Sequence, residues 1–143
     1  MATRNGSAQW RGDLQGGSGE LEVGDGVFKG AYSFSSRFEE GDGTNPEELI
    51  AGAHAACFAM AFSDVLASNG HTPDQVDVTA KVGLRNIDGA PTIASIQLDV
   101  DGKVPGIGDD EFQRLAEEAK RDCPVSRALA SVPEIEVTAR LNT

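Results

Sequence analysis

The feature that most constrains this chain is a long apolar helix, predicted to begin at Pro46. Asn45 can cap this helix, Pro46 suits its first position, and Glu48 completes a capping-box arrangement. From there to Asn69 and Gly70, which supply a C-terminal stop, nearly every position is apolar or small. A helix without a polar face has to be buried, so the rest of the chain must pack around it or a partner must cover it.

The segments on either side of this helix have the alternating pattern of strands. Residues 4–43 combine glycine and serine with short alternations such as LEV at 21–23, which favours short antiparallel strands and no helix. After the helix, residues 76–82 and 93–104 are predicted strands, and DGAP at 88–91 is the turn between them. These two strands should form a hairpin.

The remaining part of the chain alternates helix and strand signals. Acidic residues at 109–111 begin a second helix that ends near Asp122. Pro124 favours the start of a short helix over 125–130, which makes Cys123 its N-cap, and residues 135–141 are a closing strand. This order predicts an α+β fold, with antiparallel sheets packed around the central helix in a single domain covering 1–143.

Composition restricts the possible partners. A net charge of −11 would repel nucleic acid and anionic membrane surfaces. The N-terminus has no apolar signal region, and we expect no stretch to approach the ~20 apolar residues of a membrane span. We therefore expect a soluble, cytoplasmic protein that binds neither nucleic acid nor membranes.

Two cysteines, Cys57 and Cys123, are the main candidates for chemistry. A permanent disulfide is uncommon in an intracellular protein, so they are free core thiols, a redox pair or, least favoured, metal ligands. Cys57 lies deep inside the apolar helix, where desolvation raises a thiol pKa, whereas Cys123 gains from the dipole of the helix that it caps. Local physics therefore favours Cys123 as the reactive thiol.

Other polar residues are less distinctive on local grounds. Arg37 is a cation in an aromatic setting, and both Glu47 and Glu48 suit the first turn of a helix. His54 precedes Cys57 by three positions, which leaves a Cys–His hydrolase conceivable. A metal site is not expected, because the cysteines and histidines show no CxxC or HxxxH spacing.

Six segments carry longer motifs: AQWRGD at 8–13, SRFE at 36–39, GTNPEEL at 43–49, AHAACF at 53–58, VPGI at 104–107 and AKRDCPVS at 119–126. Together they resemble the OsmC/Ohr family of small hydroperoxide-reducing proteins, and its OsmC branch in particular. The third and fourth segments are the most specific. The match runs nearly the whole length of the chain.

This resemblance implies a thiol peroxidase that reduces organic hydroperoxides in oxidative or osmotic stress defence. It implies that Cys57 attacks the peroxide, that Cys123 resolves the product, and that Arg37 and Glu47 complete the site. This assignment reverses the local preference for Cys123, so Arg37 would have to stabilise the Cys57 thiolate. Glu47 would then orient the Arg37 guanidinium.

The resemblance also implies an intertwined homodimer with sites at the subunit interface. No bound cofactor is expected, and an external dithiol or lipoyl-type reductant would reset the disulfide between Cys57 and Cys123. A function of another class stays open beside this one. The chain could be a non-enzymatic binding protein for a lipid-like ligand in the same apolar cleft, with its thiols as bystanders.

Overall fold

The computed structural model describes residues 1–142. Its elements are β1 (Gly6–Arg11), β2 (Ser18–Val23), β3 (Phe28–Tyr32), α1 (Phe34–Phe38), α2 (Pro46–Ser68), β4 (Gln75–Ile87), β5 (Ala90–Lys103), α3 (Asp109–Asp122), α4 (Pro124–Ala128) and β6 (Glu134–Asn142). They group into an N-terminal unit, Met1–Leu49, and a C-terminal unit that begins at Ile50. The boundary falls in the first turn of α2, and the single domain stays a prediction.

The N-terminal unit contains an antiparallel sheet in the order β1-β2-β3, as the alternating pattern predicts. The expectation of no helix before residue 44 is wrong, because residues 34–38 form α1. Ser33 caps α1: its Oγ accepts from the Ser36 amide at 3.1 Å, and the Ser36 Oγ accepts from the Ser33 amide at 2.8 Å. This capping box uses serine where glutamate or glutamine is usual, so the sequence pattern does not reveal it.

The start of α2 at Pro46 is confirmed. The Glu48 amide donates to Asn45 Oδ1 at 2.8 Å, which is the expected N-cap bond. The Glu48 carboxylate accepts in turn from Asn45 Nδ2 and from Thr44 Oγ1, each at 3.1 Å. The reciprocal bond thus comes from the side chain of the cap instead of its backbone.

The C-terminal unit has a second sheet in the order β4-β5-β6. The predicted hairpin of β4 and β5 is confirmed, and its turn residues Asp88 and Gly89 have φ values of 51° and 83°, as a type I′ turn requires. The expectation of antiparallel pairing is wrong for β5 and β6, which run parallel. The two helices between them, α3 and α4, carry the chain back across the sheet before β6 begins.

The core of the C-terminal unit lies between α2, the sheet and α3. Its fully buried large side chains are Phe58, Phe62, Leu66, Ile96, Leu98, Val100, Phe112 and Leu115. The Phe62 ring lies 5.7 Å from the Phe58 ring and 5.2 Å from the Phe112 ring, between ring centroids. These contacts fix α2 against α3 and hold the cysteine-bearing stretch of α2 in a defined place.

The apolar character of α2 exceeds the expectation from sequence. An 18-residue stretch has a mean hydropathy of 1.6, so the helix is long and apolar enough to span a membrane by composition, and the expectation that no stretch comes close is wrong. Phe58, Phe62 and Leu66 of this helix are completely buried, so one face of α2 lies in the core of the C-terminal unit. Only 28% of that stretch is buried, however, so the single chain leaves much of the helix uncovered.

Candidate active site

Two thiols meet in the C-terminal unit. Cys57 lies on α2, and Cys123 ends α3 and caps α4, as predicted. Both are free thiols, Cys57 packs against the buried core that contains Cys123, and the Cys123 thiol is near enough to affect the pKa of Cys57. An adjacent pair of this kind can be oxidised to a disulfide.

The two thiols differ in exposure. Cys123 is 0% exposed, whereas Cys57 is only partly buried. A solute can therefore reach Cys57 first, which is opposite to the local preference for Cys123. Within the described residues, no group of three or more His, Cys, Asp or Glu side chains could hold a metal ion.

The surroundings of Cys57 disfavour its ionisation. Burial raises the pKa of the Cys57 thiol, a hydrogen bond from the Val125 backbone lowers it, and the neighbouring Cys123 thiol raises it again. The net direction is upward, so the uncharged thiol is favoured. Because the thiolate is the nucleophile, a cation near the sulfur would be needed to make it more abundant.

Arg37 and Glu47 form a forked ion pair in the N-terminal unit. The Arg37 Nη2 donates to Glu47 Oε1 at 2.8 Å, and its Nε lies 3.2 Å and 3.3 Å from the two carboxylate oxygens. The Glu47 side chain is 9% exposed and that of Arg37 is 35% exposed. The predicted pairing is confirmed, and a fork of this kind fixes the plane and direction of the guanidinium.

The same arginine borders an aromatic cavity of about 230 Å³ in the N-terminal unit. The cavity is lined by Trp10, Leu14, Tyr32, Ser33, Phe34, Arg37 and Phe38. The guanidinium carbon of Arg37 lies 5.3 Å from the centre of the Phe38 ring. Such a cavity can hold an apolar group whose polar end faces a cation. The aromatic setting of Arg37 is visible in the sequence, whereas the cavity is not.

His54 contacts a serine and not a cysteine. Its Nε2 lies 2.7 Å from Ser126 Oγ, and both side chains are buried. Its Nδ1 has no hydrogen-bond partner among the described residues. Burial lowers the pKa of His54, so the imidazole is neutral near pH 7. The Cys–His nucleophile that its spacing left conceivable is therefore not formed, and Ser126 is a site neighbour that sequence reasoning missed.

Known proteins are similar to this chain in sequence and in fold. The family model described as "OsmC-like protein" matches residues 39–138. The chain is 44% identical to peroxiredoxin OsmC of Escherichia coli (strain K12) over 127 residues, which are 88% of this chain and 89% of the relative. It is 36% identical to an organic hydroperoxide resistance protein of Xanthomonas axonopodis pv. citri, over 68% of each chain.

A solved structure agrees with these relatives. The organic hydroperoxide resistance protein from Elizabethkingia anophelis superposes with a TM-score of 0.77 at 28% identity, over 99% of this chain and 98% of that one. The α+β architecture, with its two small sheets and long helix, is therefore that of OsmC and Ohr proteins. Taken with the matching family model and the 44% identical relative, this agreement means that the chain belongs to the OsmC-like protein family.

Proposed function

We propose that this protein is a cysteine peroxidase that reduces organic hydroperoxides to alcohols. The observation that carries the proposal is the contact between a partly exposed thiol, Cys57, and a buried one, Cys123. Relatives named peroxiredoxin OsmC and organic hydroperoxide resistance protein support both the reaction and the class of substrate.

Each thiol has a separate step in the proposed cycle. The Cys57 thiolate attacks the distal peroxide oxygen, the O–O bond breaks, and the alkoxide takes up a proton and leaves as an alcohol. Cys57 is then a sulfenic acid, which the Cys123 thiol attacks at sulfur, forming the disulfide and releasing water. A dithiol reduces this disulfide through two exchange steps and is itself oxidised to a disulfide.

Arg37 supplies the positive charge that the Cys57 thiolate requires. The C-terminal unit raises the pKa of Cys57, so a cation has to act against burial for attack to be fast near pH 7. Glu47 holds the guanidinium in one direction through the forked ion pair. These two roles rest on the resemblance to the family and on the ion pair.

The substrate class rests on the relatives named organic hydroperoxide resistance protein, and the cavity beside Arg37 suits an aryl or alkyl group. Its walls are mainly aromatic, and burial of apolar surface there contributes about 25 cal/mol per Å² to binding. A hydroperoxide with an aryl or alkyl group gains this energy and hydrogen peroxide does not. The protein therefore prefers organic hydroperoxides, and it acts in defence against oxidative or osmotic stress.

The remaining partners follow from the same chemistry. A lipoyl-type or other small dithiol is the reductant, because its second thiol closes a ring and releases the enzyme from the mixed disulfide. A compartment that keeps such dithiols reduced, the cytoplasm, is the place of action.

The protein works as a homodimer, because a second copy would cover the apolar surface that α2 leaves open. No bound cofactor takes part.

Peroxide consumption in cysteine variants tests the proposal. Cys57→Ser should abolish turnover, whereas Cys123→Ser should consume one equivalent of peroxide and keep a sulfenic acid at Cys57. Steady-state assays should compare cumene hydroperoxide, a fatty-acid hydroperoxide and hydrogen peroxide, each with a monothiol and a dithiol. If Cys123→Ser lost the first equivalent and Cys57→Ser kept it, the two roles would be reversed.

The aromatic cavity also fits a second candidate function, the binding of a lipid-like molecule without turnover. The same assay separates the two functions. With excess dithiol, a peroxidase consumes many equivalents of peroxide per protein. A binding protein with bystander thiols stops at one.

A further inference from the structure

Two neighbouring contacts join α2 to the segment that begins α4. His54 contacts Ser126, and three residues later on α2 Cys57 contacts Cys123, which lies three residues earlier in the chain than Ser126. Residues three apart on a helix lie on the same face, so these two contacts follow one another where α2 and the start of α4 run antiparallel. Each of the two contacts is called a rung below. The peroxidase chemistry proposed above uses only the rung made by the cysteines.

The rung made by His54 and Ser126 is short and shielded from water. The Nε2 to Oγ distance is 2.7 Å, and the two side chains are 0% and 7% exposed. It connects positions that are 72 residues apart in sequence. Among the described residues Ser126 is the hydrogen-bond partner of the ring, because Nδ1 has none there. Removing the hydroxyl would leave a buried imidazole without a partner, which is costly.

The helix that presents Cys123 depends on such tertiary contacts. With five residues, α4 is much too short to be stable alone. Cys123 is its N-cap, but the Cys123 side chain makes no capping hydrogen bond to any described residue. Ser126 is the buried residue of α4, so its bond to α2 holds the helix and the thiol at its start.

We propose that His54 and Ser126 are positioning residues, which hold the Cys123 thiol against Cys57 and thereby set the rate of disulfide formation and the stability of the disulfide. This inference rests on the proposed function. In the step concerned, the S–S bond forms, the S–O bond of the Cys57 sulfenic acid breaks, and the hydroxyl leaves as water with the Cys123 proton. The rate of such an intramolecular step depends on how well the two groups are aligned.

Rapid resolution also protects the enzyme. A sulfenic acid that waits for its partner thiol can react with a second peroxide and become a sulfinic acid, which is not reversible without a dedicated repair enzyme. Loosening the rung should therefore increase irreversible oxidation of Cys57 at high peroxide concentration. The first attack on peroxide does not use the Cys123 thiol, so its rate should change less than the rate of disulfide formation.

The first test is a redox equilibrium that contains no peroxide. Wild type, Ser126→Ala and the matched control Ser131→Ala, which changes an exposed serine, are equilibrated with reduced and oxidised glutathione, quenched and analysed by mass spectrometry. Ser126→Ala should lower the effective concentration of the two thiols about tenfold, which raises the reduction potential by about 30 mV. Ser131→Ala should match wild type.

The second test separates the two steps after mixing with one equivalent of cumene hydroperoxide. In Ser126→Ala the rate of sulfenic acid formation should change by no more than about twofold, and the disulfide should form about tenfold more slowly. Ser126→Thr, which keeps a hydroxyl, should recover most of the resolution rate. Mass spectrometry after repeated turnover should show more sulfinic acid at Cys57 in Ser126→Ala than in wild type.

A double variant separates positioning from folding. His54→Leu combined with Ser126→Ala replaces both polar partners by apolar groups, which restores stability more readily than removing one partner alone. It should fold and still resolve slowly. The proposal is overturned if this double variant, or a folded Ser126→Ala, shows wild-type disulfide stability and wild-type resolution. If wild type consumes no peroxide, the peroxidase function fails instead, and the glutathione equilibrium still decides the role of the rung.

Discussion

The Arg37 guanidinium and the Glu47 carboxylate form a fork in which Nη2 and Nε both approach carboxylate oxygens, the shortest distance being 2.8 Å. Arg37 lies in the last turn of α1 and Glu47 in the first turn of α2. The end of α1 and the start of α2 thus together fix the direction of the Arg37 guanidinium. In the proposed cycle this direction determines how well the cation supports the Cys57 thiolate.

Glu47→Gln should therefore weaken catalysis while the fold persists. The amide cannot accept two charge-assisted hydrogen bonds from Arg37, so the guanidinium gains freedom, and kcat/KM for cumene hydroperoxide should fall by about tenfold or more. Steady-state kinetics at neutral pH with excess dithiol measure this loss. The free energy of unfolding should fall by about 1 to 3 kcal/mol, the range for losing a hydrogen bond to a charged group.

Glu48→Gln is the matched control, because it makes the same chemical change one residue later. Glu48 bonds to Asn45 and Thr44 in the cap of α2 and has no part in the proposed reaction. It should lower stability by a few tenths to about 1 kcal/mol and leave kcat/KM within about twofold. Equal losses of activity in both variants would show that Glu47 acts through helix stability and not through Arg37.

Arg37→Ala should change the pH dependence of the first attack. Burial, as the main cause, raises the pKa of the Cys57 thiol. In the proposed cycle the Arg37 cation opposes this rise, so its loss should give the thiol a higher pKa than in wild type. Since only the thiolate attacks, the rate of variant and wild type should differ strongly near pH 7 and converge as the pH rises above both pKa values. Single-turnover rates measured across this range test the prediction. A loss that is constant with pH would mean that Arg37 acts on the peroxide instead.

Features that depend on local chemistry were predictable from the sequence. Asn45 and Pro46 mark the start of α2, Asp88 and Gly89 form the hairpin turn, and Pro124 makes Cys123 an N-cap, all through interactions within a few residues. Their physics is contained in the segment itself.

Other features depend on contacts that the segment does not contain. The capping box of α1 uses Ser33 and Ser36, and serine is also common in turns and strand ends, so the helix was missed. The parallel pairing of β6 depends on where two helices return the chain. The bond between His54 and Ser126 spans 72 residues, and a serine three positions after a cysteine gives no signal by itself.

The buried imidazole of His54 makes stability depend on pH. Its pKa in the folded protein is lowered by burial, whereas the unfolded chain keeps a value near 6.5. A lowered folded pKa gives stability that is complete above about pH 6.5 and is lost as the pH falls through the folded pKa. The free energy of unfolding, measured with urea from about pH 7.5 downward, should therefore decrease.

The variant His54→Leu with Ser126→Ala provides the comparison. It removes the group that titrates, so its free energy of unfolding should fall less than that of wild type over the same pH range. Titration of His54 followed by NMR should give a pKa below the usual value in the folded protein. A pKa above about 6.5 in that experiment would contradict both the sign of the effect and the neutral imidazole.

The last prediction concerns the proposed homodimer, and it starts from the uncovered part of α2. Met60 is 76% exposed in the middle of this apolar helix, and it borders a surface hollow together with Ala59, Ser63 and Ala67. A second copy that buries this face should stabilise the fold by mass action, so the melting temperature of wild type should rise with protein concentration. Sedimentation measures the dimer content and thermal melts measure the melting temperature, each over a wide range of protein concentration.

Met60→Lys tests whether the uncovered face of α2 is the interface, because a buried ammonium without a partner opposes association. The variant should dissociate at higher protein concentration than wild type, and its peroxidase activity should fall together with its dimer content. Val27→Lys is the control, since Val27 is 89% exposed in the turn between β2 and β3. It should remain dimeric and active. A monomeric Met60→Lys with full activity would separate catalysis from the dimer, and a melting temperature of wild type that is independent of concentration would count against an obligate dimer.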